Sequence, residues 1–122
     1  MSSRSRRFVL LAHDWPAPHF DLLVEDGAAC RTWRLEHLPS STNSVAVEPL
    51  PPHRLHYLTY EGPVSGGRGA VTRVDAGTAS LHVTGSGISV ELRGEQISGA
   101  FAVVGDRLQP TDQREVASET SD

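Results

Sequence analysis

Eleven glycines and eight prolines recur through the 122 residues and break the chain into short apolar runs. Such punctuation leaves little room for long helices, because both residues disfavour helix interiors. Between the breaks lie valine, leucine, isoleucine and aromatics, the residues that favour strands. Several runs alternate with period two, as in Ile88, Val90 and Leu92 against Ser89, Glu91 and Arg93. Alternation of this kind gives a strand one apolar face. The pattern predicts strands at 7–13, 19–25, 29–35, 43–48, 54–60, 69–75, 78–84, 87–93 and 97–104. Asp26-Gly27 and Arg93-Gly94-Glu95 read as hairpin turns. Many short strands with tight turns predict an all-β fold. The expected form is a small, mostly antiparallel β-barrel of about eight strands, because closure removes exposed sheet edges.

A chain of this length forms one domain and can bury a core without disulfides. The barrel is expected over 7–106, with 1–6 a flexible arm and 107–122 a polar, disordered tail with little to bury. Cys30 is the single cysteine, which excludes a disulfide framework and a four-cysteine metal site. That fits a reducing compartment. The apolar run 8–12 is too short for a signal peptide, and no window reaches the roughly 20 apolar residues of a membrane span. The expectation is a cytoplasmic monomer with no membrane partner. Net charge is −4, and all 11 basic residues are arginine. A net acidic chain is poorly suited to wrapping long duplex nucleic acid. Arginine nevertheless offers bidentate contacts to one phosphate, or one strand end, in a local basic pocket.

The segment from His13 to Asp21, HDWPAPHFD, carries the chemistry. In a strand His19 and Asp21 project from one face and Phe20 from the other. The turn between, stiffened by Pro16 and Pro18, can fold His13 back beside His19. Two imidazoles and a carboxylate suit a divalent transition metal with open coordination positions, and zinc, manganese or iron are all acceptable. Histidine and aspartate are also common in turns that bind nothing. Asp21, however, sits inside the apolar strand FDLLV, and a buried carboxylate needs a partner or a metal.

A second cluster, His53-Arg54-Leu55-His56-Tyr57, places His53 and Tyr57 on one strand face. An imidazolium can hold phosphate charge or protonate a leaving group, and a tyrosine hydroxyl can donate to a phosphate oxygen. The competing assignment makes Tyr57 a barrel-wall aromatic and His53 a strand-end surface residue. The glycine-rich stretch 62–69 lacks the Gly-Lys-Ser/Thr ending of a Walker loop. It either exposes backbone N–H groups to an anion or is a plain hairpin connection with Arg68 solvated. His37, His56 and His82 read as surface or strand residues.

Taken in order, these motifs resemble the 3′-phosphoesterase domain of bacterial DNA ligase D. The likeness runs through His13-x5-His19-Phe20-Asp21, Glu25-Asp26-Gly27, Thr32-Trp33 and His53-x-Leu55-x-Tyr57-x3-Glu61-Gly62-Pro63. It continues into a closing hairpin from Gly85 to Val104, so that it spans 7–104. The resemblance implies a β-barrel with a central active-site cavity. It also implies trimming of nucleic-acid 3′ ends in end-joining repair: removal of a 3′-ribonucleoside and then of the 3′-phosphate, with manganese the first expectation. DNA ligase or polymerase repair partners would follow. His13, His19 and Asp21 would be the metal ligands. His53 would contact the phosphate or stabilise transition-state charge, with Tyr57 beside it.

One position departs from the family pattern. Two residues after the aspartate the family carries an arginine that clamps phosphate, and here that residue is Leu23. Candidate replacements are Arg34 first, then Arg54, with Arg31 and Arg68 nearby. Arg34 is expected across from Leu23 on the neighbouring strand. Trp15, between two expected ligands, would stack on a base at the pocket edge. Two functions are weighed on this basis: a metal-dependent phosphoesterase, and a catalytically weakened module that binds metal or nucleic-acid ends without turnover. A metalloenzyme of other chemistry on a similar barrel ranks behind them.

Overall fold

The computed structural model describes residues 5–111. Nine strands follow in order: β1 (Arg6–His13), β2 (His19–Asp26), β3 (Ala29–Leu35), β4 (Val45–Arg54), β5 (Gly62–Pro63), β6 (Ala70–Thr84), β7 (Gly87–Gly94), β8 (Ser98–Val104) and β9 (Arg107–Pro110). A short 3₁₀ turn, Leu55–Leu58, follows β4. All pairings are antiparallel. The spatial order is β1-β2-β3-β4-β9-β8-β7-β6, and β6 returns to pair with β1. Eight strands therefore close a barrel, with β5 an extra strand on β6. Among the described residues no helix is long and apolar enough to cross a membrane.

The barrel's axis is filled with side chains. Phe8, Leu10, Leu22, Val24, Trp33, Leu35, Val45, Val47, Leu81, Val90, Leu92, Phe101 and Leu108 form one buried cluster fed by all eight barrel strands. An eight-stranded barrel has an interior just wide enough for such side chains. A second buried cluster, Val9, Leu11, Leu23, Cys30, Leu58 and Val71, lies on the other face of β1, β2 and β3. The 3₁₀ turn and the segment to Val64 cover it, with Leu55, Tyr57 and Tyr60 packed against it. β1 is thus apolar on both faces, which explains why Phe8 to Leu11 read as a continuous run and not an alternation.

Several boundaries differ from the sequence reading. The strand expected at 43–48 runs on as β4 to Arg54, and residues 55–60 form no strand: the chain turns to lay Leu58 on the outer cluster. The separate strands at 69–75 and 78–84 are one, β6, which bends at an irregularity where Leu10 pairs Asp75 and Leu11 pairs Arg73. Gly77, which looked like a break, is there because a Cβ would run into the Arg93 carbonyl of the paired strand. At the ends, Arg6 belongs to β1 and not to an arm, its guanidinium donating to the Glu25 carbonyl at 3.0 Å. Residues 107–110 are β9 and not tail, because Leu108, 2% exposed, fills the barrel. The rest of the expected arm and tail, 1–4 and 112–122, lies outside the described residues.

Candidate metal centre

β1 and β2 form a hairpin whose register sets His13 opposite His19 and Leu11 opposite Asp21. His13, His19 and Asp21 therefore share the outer face of the barrel at the end of the hairpin. The ring centroids of the two histidines are 4.9 Å apart. Asp21 is buried, 3% exposed, and His19 is buried with it. One ligand atom from each of the three lies within 4.8 Å of the others.

Backbone carbonyls fix the tautomers of both rings. A carbonyl can only accept, so the His19 nitrogen 2.8 Å from the Ala17 oxygen, Nδ1, carries the proton. Its Nε2 faces Asp21 Oδ1 at 3.1 Å. Likewise His13 Nε2 donates to the Arg68 carbonyl at 2.9 Å, and His13 Nδ1 faces Asp21 Oδ2 at 3.2 Å. Asp21 Oδ1 is buried and makes no hydrogen bond despite its nearness to His19. The inward nitrogens of two imidazoles converge on both oxygens of one carboxylate. Either extra protons or a cation must lie among them. Two imidazoles and a carboxylate, with carbonyl partners on the far ring nitrogens, form a group that could hold a metal ion.

The outer face continues into a cleft of about 440 Å³. His13, Trp15, Asp21, Arg34, His53, Arg54, Tyr57 and Arg68 all line it, over a floor that includes Leu11 and Val71. His19 lies outside this lining and faces a smaller cleft beyond the histidine pair, and Arg31 and Leu23 do not line it either. Three arginines and His53 stand against one carboxylate, so the cleft is locally cationic on a net acidic chain. His53 Nδ1 donates to the Pro51 carbonyl at 3.0 Å, and among the described residues its Nε2 has no hydrogen-bond partner. His53 and Tyr57 come together with ring centroids 6.1 Å apart, although Tyr57 stands on the 3₁₀ turn and not on a shared strand.

Arg34 reaches the cleft differently from the sequence expectation. Its register partner is Asp21, whereas Leu23 pairs with Thr32. Arg34 Nε is buried with no hydrogen-bond partner. Trp15, 43% exposed, stands at the cleft edge. Arg31 is engaged elsewhere, with Asp26 at 3.3 Å. Cys30 is not among the converging ligand atoms, and burial first, then the charge of Glu25, pushes its thiol up to about 11.

The sequence reading missed the glycine-rich loop's part in the site. Arg68 braces the loop through its guanidinium, with Nε donating to the Ser65 carbonyl at 2.8 Å, while its own carbonyl orients His13. A contact across 55 residues leaves no local signal, and only the glycine beside Arg68 hinted at a close approach. No protein-family model and no curated protein matches the chain.

Proposed function

We propose that this chain is a metal-dependent phosphoesterase acting on nucleic-acid 3′ ends, in the manner of the ligase D phosphoesterase domain it resembles. The observation that carries the reading is the junction of two features. A His13-His19-Asp21 set, buried at His19 and Asp21, turns a nitrogen of each ring toward the carboxylate, and it opens onto a cleft lined by Arg34, Arg54, Arg68 and His53. A divalent ion held by the three ligands, manganese first, would supply Lewis-acid polarisation of a phosphoryl oxygen. Arg34 and Arg54 neutralise phosphate charge, which arginine does with paired N–H donors. His53 holds or moves a proton at Nε2, and the Tyr57 hydroxyl donates to a phosphate oxygen. Trp15 offers a face for the terminal base.

The test is a manganese-dependent assay on a primer–template ending in a single 3′-ribonucleotide or a 3′-phosphate. Trimming by the wild type and its loss in His19→Ala are the expected outcomes. Turnover that persists without metal, or in His19→Ala, would remove the metal from the reaction. A second reading, binding of metal and strand ends without catalysis, is favoured by one observation: Leu23 is 0% exposed and brings no cation to the cleft. Manganese binding by calorimetry with no trimming would select it.

A further inference from the structure

On the reading that His13, His19 and Asp21 hold a metal, we infer that Asp14 is a positioning residue of that centre. It acts by docking the glycine-rich loop 64–69, so that metal binding and loop docking are one coupled equilibrium. Asp14 follows His13 and pairs with Ala70 at the end of β6. Its Oδ1 accepts the Ala70 N–H at 2.9 Å, and its own N–H reaches the Ala70 carbonyl at 3.4 Å. Gly69, with φ +74°, makes the approach possible, since a Cβ there would overlap the Asp14 carboxylate and the Trp15 Cβ. The docked loop is closed on itself by Val64 N–H donating to the Gly69 carbonyl at 2.7 Å. In this arrangement the Arg68 carbonyl meets His13 Nε2 at 2.9 Å and turns Nδ1 toward Asp21.

The consequence is a reciprocal linkage. An undocked loop frees the His13 ring to turn and to take its proton on either nitrogen, which weakens a ligand. A metal on Nδ1 leaves Nε2 as the N–H, which favours the docked loop. Asp14 itself is not one of the three converging ligands, and it meets a backbone N–H that an amide oxygen can equally accept. A carboxylate acting as a direct ligand would need its charge, whereas a carboxylate acting as a dock would not.

The experiment compares full-length wild type, Asp14→Ala, Asp14→Asn, Gly69→Ala and His19→Ala. Mn²⁺ affinity is read by calorimetry, and trypsin cleavage after Arg68 is followed with and without Mn²⁺. Circular dichroism reports folding. Asp14→Ala and Gly69→Ala should bind Mn²⁺ about 10–100-fold more weakly, as loss of an outer partner does, while Asp14→Asn stays within about threefold of wild type. Mn²⁺ should slow cleavage after Arg68 in the wild type and not in Asp14→Ala. Unchanged affinity in folded Asp14→Ala overturns the inference, as does an Asp14→Asn variant as weak as Asp14→Ala. If both loop variants fail to fold, wild-type cleavage decides alone, and a rate indifferent to bound Mn²⁺ overturns it. Wild type that binds no Mn²⁺ removes the metal centre and the inference together. Wild type that binds while His19→Ala does not keeps the centre and isolates the question to the loop.

Discussion

Leu23 lies among Val9, Leu11, Cys30, Leu58 and Val71, where a guanidinium would be stripped of water with no partner. On the proposed reading the cation for a phosphate would come from the next strand, where Arg34 stands in register with Asp21 and keeps an unpartnered Nε. If Arg34 is the clamp, Arg34→Ala should lower kcat/KM on a 3′-phosphate end by about 10²–10³, the usual size of one lost electrostatic donor. Arg34→Lys should recover only part, because lysine loses the paired geometry. Mn²⁺ affinity should not fall in either variant. Full activity in Arg34→Ala would move the clamp to Arg54 or Arg68, the other arginines lining the cleft.

At the scale of the element, Asp75 organises the β7–β8 hairpin from the opposite strand. Its Oδ1 accepts the N–H groups of Ala76 and Glu95 at 2.9 and 3.0 Å, and its Oδ2 those of Gln96 and Ile97 at 3.1 and 2.8 Å. Burial alone would push this carboxyl up, but the four donors outweigh it and hold its pKa below the ordinary carboxylate value. An asparagine offers one acceptor oxygen in place of two. Asp75→Asn should therefore destabilise the fold by about 1–3 kcal/mol near neutral pH in urea unfolding. Because the folded pKa is the lower one, the unfolded chain takes up the proton first as pH falls. The stabilisation is thus complete above the unfolded carboxylate range, near pH 4, and is lost as pH drops through the folded value. The gap between wild type and variant should close over that acid window, and a gap independent of pH would deny the carboxylate this role.

What the sequence disclosed about these elements follows the range of the interactions. The β1–β2 hairpin was legible because a five-residue turn forces His13 and His19 together, and period two then aims Asp21. The outward facing of Arg34 depends on one further local pairing, and its partner lies two residues from the expected one, Asp21 in place of Leu23, on the same face. Residues 55–58 alternate like a strand, yet they turn because Leu58 gains more from the outer cluster than from a ladder. β9 escaped notice because a single apolar residue, Leu108, carries it among polar neighbours. The Asp14–Ala70 dock and the Asp75 turn join segments that are distant in the chain, and no window of residues reveals them.

For the molecule as a whole, a bound ion should act as a staple across β1 and β2. At a Mn²⁺ concentration about a hundredfold above Kd, mass action adds about 2.7 kcal/mol to the folded state. For a domain of this size that lifts the thermal midpoint by on the order of 10 °C. Scanning calorimetry with and without Mn²⁺ should show the rise in wild type, its reversal by chelator, and no rise in His19→Ala. An equal rise in His19→Ala would place the ion elsewhere.

β1 has one more consequence, since its alternate residues serve two different surfaces. Phe8 and Leu10 enter the barrel, while Val9, Leu11 and His13 face outward. A slip of one residue against a neighbouring strand would send Val9, Leu11 and His13 to the opposite face and expel Phe8 and Leu10 from the barrel. A misregistered chain therefore gains no stable barrel with a faulty site; it loses both at once. Closure of the barrel proofreads the site, and a population of molecules that passes one inspection has passed the other.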